Sequence, residues 1–520
     1  MSRTARFVVV LFVWVAARSG LAGDAGWPSY NNGYDSRRFA SLDQINTKNV
    51  AGLKHVCDVT LGENAPFQTG PLVVGDTMYL TTPHTTVAMN ATTCAVLWRH
   101  VASGGSAANF KPANRGPAYL DGVLFRGMPD GKFAAFDAKS GKIKWQAPAG
   151  NGSTELITSA PIAWRGKVFA GLAIGDFITL RGNVRAWKTA DGAELWRFYT
   201  VPEEGAASWN PKSAAQTGGG GQWTSYTLDT DAGELFVPVG NPAPDFLPNR
   251  RLGANLYTDS VVVLDAETGA LKWYFQATPH DALDHDIGAA PVLYTTRAGV
   301  PMFAVGSKNG YLYGIDRTKH AQAFKTPVTT ISNDDATLDT AVCVCPGALG
   351  GVEWNGPAFD PQTHALYVGA VDMCMIYDPS QPQITNGPCP GTATGGWITA
   401  VDADTGKMLW HMRTPGAVVA GLTPTSGGLL FTGDLAGNLY ALDKSSGVQL
   451  LAYPTGGPIA GGVITYSVGG RQYVATTSGN TSRTFVSSTP ARVIVLALDM
   501  SEGNPQMSVT LPTIPTGGSQ

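Results

Sequence analysis

Apolar and polar residues alternate with period two along much of this chain, and one phrase keeps returning. A short alternating run leads into Asp-x-x-Ser/Thr-Gly, a few more residues, and then Trp. The phrase reads FAAFDAKSGKIKW up to Trp145, VVVLDAETGALKW up to Trp273 and ITAVDADTGKMLW up to Trp410. Looser copies end at Trp98 and Trp196, and degenerate ones end at Phe324 and Tyr453. VIVLALDM at 493–500 opens an eighth copy without finishing it. Alternation sends side chains to the two faces of a strand, and Asp with Gly supplies turn chemistry, so each phrase predicts a β-hairpin. The Trp adds a broad apolar face for packing on a neighbour. Hairpins recurring roughly 40–50 residues apart, without helical periodicity, predict an all-β chain folded as a β-propeller. Seven copies and a truncated eighth predict eight blades. On this reading the Trp residues dock one blade on the next. The N- and C-terminal strands share the last blade and close the ring.

Two spacings exceed a plain blade: Trp196 to Trp273, and Phe324 to Trp410. Insertions of that length in a compact domain are functional or stapled. Six cysteines divide accordingly, Cys57 and Cys94 near the start and Cys343, Cys345, Cys374 and Cys389 around the second insertion. The last four allow three pairings, and spacing does not choose among them. Disulfides fit export. Residues 1–23 read as a signal peptide, with Arg3 and Arg6, the apolar run FVVVLFVWVAA at 7–17 and small residues in SGLAG at 19–23. The propeller is expected over 24–500, with 501–520 as a disordered tail rich in Pro, Gly, Ser and Thr. No membrane span is expected after cleavage, so the protein is placed in the periplasm or secreted. A net charge of −3, with only 14% charged residues, leaves no footprint for nucleic acid. No C-x-x-C-H occurs, so the chain carries no c-type haem of its own.

Candidate chemistry concentrates in GNPAPDF at 240–246 and TPHDALDHD at 278–286. Asn241, Asp281, Asp284 and Asp286 offer the oxygen ligands a hard cation takes, and a remaining carboxylate could accept a hydroxyl proton. Asp281 is read as a turn cap and His285 as a supporting group.

In these stretches and beyond them, the chain resembles the PQQ-dependent (quinoprotein) alcohol dehydrogenases, from WPSYNNGYDSRRF at 27–39 to GGRQYVATTSGN at 469–480. The resemblance implies an eight-bladed propeller with pyrroloquinoline quinone on its axis. ANRGPAY implies Arg115 as the partner of a quinone carboxylate, and ITSAPI implies Thr158 as a hydroxyl donor. GGGGQW implies Trp223 stacking on the ring, and SKNGYLYGIDR implies Lys308 beside the quinone carbonyls. Asn241 is implied as a metal ligand and Asp284 as catalytic base and ligand. The resemblance further implies Ca2+ as the metal and a separate cytochrome c or similar protein as electron acceptor.

The chain departs from the family's pattern in three places. Where relatives carry a metal-binding Glu before R-G, GLAIGDFITLRG at 171–182 offers Asp176, with a shorter arm and one extra residue before Arg181. The adjacent cysteine pair of many relatives is missing, since SGGSAANFKPANRG holds no cysteine. Asp286, two residues after Asp284, accompanies lanthanide use in methanol dehydrogenases of this family, where a trivalent ion takes one more negative ligand. GGVEWNGPAFDP at 350–361 and VDMC at 371–374 look more like the polyvinyl-alcohol dehydrogenase side, where the same Asp-x-Asp lacks that implication. Calcium is therefore the expected ion, with a lanthanide as the alternative. The rival reading of the whole chain is a non-catalytic propeller scaffold or a degenerate, cofactor-free relative.

Overall fold

The computed structural model describes residues 24–63, 65–103, 113–152, 154–174, 179–202, 208–209, 218–380, 385–480, 485 and 487–499. The signal peptide and tail expected from the sequence, and Asp176, lie outside these residues. Among those described, the chain builds eight four-stranded antiparallel sheets in succession. The fold is an all-β propeller.

One sheet shows how sequence becomes layer. Leu72–Val74, Thr77–Thr81 and Thr85–Asn90 are buried along most of their length, whereas Val96–Val101 alternates exposed with half-buried positions. Inner strands covered on both faces read as continuous apolar runs, and the outermost strand, wetted on one face, alternates. Core clusters lie between neighbouring sheets, as where Phe125, Phe133, Ala135 and Trp145 meet Ala163, Val168, Ala170 and Trp187.

The recurring phrase has a repeated job. Asp137 Oδ1 accepts from the Ser140 backbone N–H (2.8 Å) and hydroxyl (2.7 Å), and Gly141 follows at φ +68°. The same turn recurs at Asp265–Thr268–Gly269, Asp402–Thr405–Gly406 and Asp443–Ser446–Gly447. The ring from the preceding sheet lies flat on that glycine. A Cβ at Gly192 would sit 2.6 Å from Trp145, one at Gly269 2.6 Å from Trp196, and one at Gly447 2.6 Å from Trp410. The indole N–H groups then donate across the gap, Trp145 to the Thr189 carbonyl at 2.8 Å and Trp98 to Ala138 at 2.9 Å. Glycine meets both demands, a positive φ and no Cβ under the ring.

The degenerate copies keep the packing by other means. Phe324 takes the ring position against Gly406. Where the phrase has His320 in place of glycine, the imidazole stacks on Trp273 with centroids 4.3 Å apart. In the first copy the glycine position is Cys94, at φ +58°, and it is disulfide-bonded to Cys57. Cys57 lies on Leu53–Thr60, which pairs with Arg492–Leu498 as the outer strand of the sheet completed by Val463–Val468 and Arg471–Ser478. A covalent staple thus stands where most other neighbours have ring on glycine.

Two smaller sheets come from the long insertions. Gly218–Gly219 pairs with Pro242–Ala243. Val342–Val344, Met375–Tyr377 and Thr385–Pro388 form the second. The cysteines around this second sheet pair as Cys343–Cys389 and Cys345–Cys374, which settles the alternatives left open by spacing.

Candidate active site

Five successive sheets each contribute residues from the segment entering their first strand. Arg115 precedes Ala118–Leu120, Thr158 precedes Ile162–Trp164, and Trp223 precedes Thr227–Asp229. Asp284 and Asp286 precede Val292–Thr295, and Glu353 precedes Ala358–Asp360. Equivalent positions in repeated sheets face one end of the assembly, so residues far apart in sequence converge. Asn241 and Lys308 join them from the turns after Glu234–Pro238 and Pro301–Gly306.

One half of the site is an aromatic and cationic cradle. Arg115 is buried, and its Nη1 donates to Thr158 Oγ1 (3.2 Å) and to the Trp223 carbonyl (2.5 Å). Thr158 Oγ1 donates to the same carbonyl at 3.1 Å. The guanidinium lies between two indoles, 4.8 Å from the centroid of Trp223 and 5.3 Å from that of Trp354. Its Nε is buried without a hydrogen-bond partner. Burial lowers the Arg115 pKa to about 10, against the opposing pull of Tyr30 and Glu353, so it stays cationic at neutral pH. The N-terminal segment packs nearby, with Tyr30 Oη and Arg38 Nη2 both donating to Asn355 Oδ1, at 2.9 and 2.8 Å.

The other half is acidic and centred on Lys308. The buried ammonium bridges Asp284 Oδ2 at 2.8 Å and Asp286 Oδ2 at 3.0 Å. Burial by itself would push its pKa down, but Asp284, Asp286 and Glu353 outweigh that and hold it well above the usual lysine value. Asp286 Oδ1 accepts the Asn241 backbone N–H at 2.6 Å, which ties the two sequence stretches together. The Asn241 amide donates to Asp245 Oδ1 at 2.6 Å, fixing the direction of its carbonyl. Asp284 sits at φ +66°, a strained setting that aims its carboxylate into the site.

Asp281 caps the turn, accepting from the Leu283 and His285 backbone N–H groups at 2.9 Å each. His285 is buried and burial lowers its pKa, so it is a neutral supporting group. Among the described residues no three His, Cys, Asp or Glu side chains form a metal cluster by themselves. A cation here would draw on the Asn241 carbonyl and the Asp284 and Asp286 carboxylates. Asp176, the fourth expected ligand, falls outside the described residues.

Sequence reasoning missed Glu353 and Trp354. Glu353 is buried, and burial raises its carboxyl pKa to about 7, with Lys308 and Arg115 lowering it and Asp286 raising it. The signal that could have found both is positional, since GGVEWNGPAF occupies the same pre-strand slot as Arg115, Thr158 and Trp223.

The model of the glucose/ethanol/alcohol dehydrogenase beta-propeller domain (PQQ) matches residues 27–337, and that of the outer membrane protein assembly factor BamB matches 394–506. The dehydrogenase subunit of alcohol dehydrogenase (quinone) from Acetobacter aceti is 31% identical, over 87% of this chain and 71% of that protein. The lanthanide-dependent methanol dehydrogenase of Methylorubrum extorquens is 28% identical, over 86% and 85%. The crystal structure of quinohemoprotein alcohol dehydrogenase from Comamonas testosteroni superposes with a TM-score of 0.84 at 25% identity, covering 95% of this chain and 82% of that one. The chain therefore belongs to the PQQ-dependent alcohol dehydrogenase family. It is a quinoprotein alcohol dehydrogenase, an oxidoreductase acting on CH–OH donors, and the scaffold reading is set aside.

Proposed function

We propose that this protein oxidises a primary or secondary alcohol to the aldehyde or ketone, using PQQ and a metal ion, and passes electrons to a separate cytochrome c or similar acceptor. The observation carrying this reading is the pairing of a cationic aromatic cradle with a carboxylate cluster on one end of an all-β propeller. The residues fit the cofactor. Arg115 offers an unsatisfied buried N–H to a carboxylate, and Trp223 offers a flat apolar floor. The backbone beside that floor is glycine, since a Cβ at Gly288 would stand 3.3 Å from the indole edge. When bound, the metal–quinone pair supplies a polarised carbonyl that accepts hydride. Asp284 takes the alcohol proton, and Lys308 orients that carboxylate and places positive charge beside it. Arg115 and Thr158 hold the cofactor in register with them.

Asn241, Asp284 and Asp286 are the proposed metal ligands, with Asp176 completing the set. Calcium is the proposed ion, and the chain is placed nearer the polyvinyl-alcohol dehydrogenase side of the family by GGVEWNGPAFDP and VDMC. The eight four-stranded sheets are read as eight blades, docked mostly ring on glycine, and the Leu53–Thr60 pairing as closure of the ring. An exported, periplasmic or secreted protein agrees with the apolar leader and the three disulfides. No helix among the described residues is long and apolar enough to cross a membrane. The given sequence contains no C-x-x-C-H, which agrees with a separate protein as the proposed electron acceptor.

The test is a spectrum. Protein exported with PQQ and calcium should show a bound quinone band that alcohols bleach; no band removes the proposal. Restoration of metal-stripped protein by lanthanum but not calcium would overturn the choice of ion. Asp176→Glu should tighten calcium binding in a calorimetric titration, and unchanged affinity would exclude Asp176 as a ligand.

A further inference from the structure

Residues 25–40 are held by five of the sheets. The Trp27 and Ala40 N–H groups donate to the Val73 and Pro424 carbonyls, and the Leu228, Leu293 and Phe359 N–H groups donate to the Tyr34, Asp35 and Arg37 carbonyls, all at 2.8–3.0 Å. Each of those partners lies on the first strand of its sheet, the edge opposite the last strand. Within the segment Asn32, Ser36 and Arg38 sit at φ +57°, +59° and +57°. A left-handed residue with a side chain costs about 1–2 kcal/mol, so the surrounding contacts hold the segment in a strained course.

That course places Arg38, which is 1% exposed. Its Nη2 donates to Asn355 Oδ1 at 2.8 Å, Tyr30 Oη donates to the same oxygen at 2.9 Å, and the guanidinium carbon stands 5.3 Å from the centre of the Tyr30 ring. The Asn355 amide donates to the Val419 carbonyl at 2.8 Å, which fixes Oδ1 toward these two donors. A Cβ at Gly421 would fall 2.6 Å from Arg38 Nη1, and that nitrogen has no hydrogen-bond partner.

Nothing on the chain balances this charge. Among the described residues only Tyr30 offsets it, and burial raises the Tyr30 pKa, so that hydroxyl keeps its proton at neutral pH. The guanidinium keeps its own proton as well. An unpaired buried ion is costly, and an apolar side chain of similar volume would fill the space more stably, so packing does not account for arginine here. The charge stands beside the cradle. A Cβ at Gly70 would meet the Tyr30 ring at 2.5 Å, and the Gly70 N–H donates to the Arg115 carbonyl at 2.8 Å. Asn355 directly follows Trp354, whose indole faces the Arg115 guanidinium.

We propose that the unbalanced positive charge of Arg38 raises the reduction potential of the quinone held in the cradle. The inference rests on the proposed alcohol oxidation. There the alcohol gives a hydride to the quinone and a proton to Asp284, so two electrons and one net negative charge arrive on the cofactor. A fixed positive charge nearby stabilises them. Two acceptor molecules then take one electron each, and both protons leave to water. Arg115 is matched by a cofactor carboxylate on this reading, whereas Arg38 keeps its field. Arg38 takes no part in hydride or proton transfer.

Redox titration of the holoenzyme, followed by the quinone absorbance with dissolved mediators, compares wild type with Arg38→Met and Arg38→Lys. Met approximates the arginine stem without its charge, and Lys keeps the charge without the planar fork. Arg38→Met should lower the midpoint potential by about 30 mV or more, an about tenfold shift in a two-electron equilibrium and the order of effect of one unit charge in a protein interior. Arg38→Lys should recover most of that loss. Equal potentials in wild type and Arg38→Met overturn the inference, and so does a Lys variant displaced as far as the Met variant, since shape and not charge would then be the cause. Arg38→Met sheds an unpaired charge while Asn355 Oδ1 keeps Tyr30 as a donor, so it should unfold in urea no earlier than wild type. Clearly earlier unfolding would mean that the charge is balanced in the folded protein, and would also overturn the inference. A preparation with no quinone band removes the proposed function and this inference with it. A quinone that alcohols bleach, at a potential indifferent to Arg38, overturns this inference alone.

Discussion

Replacing Glu353 by Gln removes one titrating proton from the site while keeping its shape. The Glu353 carboxyl is raised from 4.5 to about 7, chiefly by burial, with the cations Lys308 and Arg115 only partly offsetting it. A folded state that holds the proton more tightly than the unfolded chain is favoured while that proton is bound. The contribution is whole below about 4.5 and is lost as pH rises through about 7. At about 1.4 kcal/mol per pH unit between the two values, the loss is on the order of 3 kcal/mol. The amide of the Glu353→Gln variant has no such proton to lose. Equilibrium urea denaturation of cofactor-free wild type and Glu353→Gln should therefore show equal pH slopes below about 4.5. The variant should then gain relative to wild type up to about pH 7 and hold a constant advantage above it. A stability gap flat between pH 5 and 8, or one favouring wild type at pH 8, would mean that ionised Glu353 is fully compensated by Lys308 and Arg115, and the reasoning would be wrong.

Three other perturbations test separate parts of the structure. Asp284→Asn should lower kcat by about 10²–10⁴-fold, the usual worth of a positioned general base, while the quinone absorbance is retained; near-normal turnover would assign the base elsewhere. Gly192→Ala places a Cβ 2.6 Å from the Trp145 ring at φ +76°, and should cost about 1–3 kcal/mol or more in denaturant unfolding; a neutral result would show that the ring-on-glycine contact is slack. The double change Cys57→Ala, Cys94→Ala opens a staple spanning 37 residues, whose loop entropy is worth about 4 kcal/mol, and should lower the thermal midpoint relative to the oxidised wild type. Single changes that leave a free thiol are a poorer test, because the thiol can exchange with the other disulfides.

The hairpins were legible because their causes are local. Period-two alternation and the Asp-x-x-Ser/Thr-Gly turn act within a dozen residues, and the strands Lys132–Asp137, Ser260–Asp265 and Gly395–Asp402 lie where the phrases put them. The substitutions that preserve the packing were not legible as such. His320 and Cys94 look like failures of the repeat until His320 is seen on Trp273 and Cys94 on Cys57. Of the site, Arg115, Thr158, Trp223, Asn241, Asp284, Asp286 and Lys308 could be named from motifs, and the structure brings them together. Asp176 could be named too, but it lies outside the described residues.

What the sequence determined alone was therefore the kind of unit, its recurrence, and the chemical types gathered around two acidic stretches. Tertiary structure decided how those units face one another. It paired Cys343 with Cys389 and Cys345 with Cys374, since only folding sets which sulfurs stand within bonding reach. It also made Glu353 a titrating group near neutral pH. A carboxyl's proton affinity depends on the water withdrawn from it and the charges beside it, and neither is written in the residues next to it in the chain.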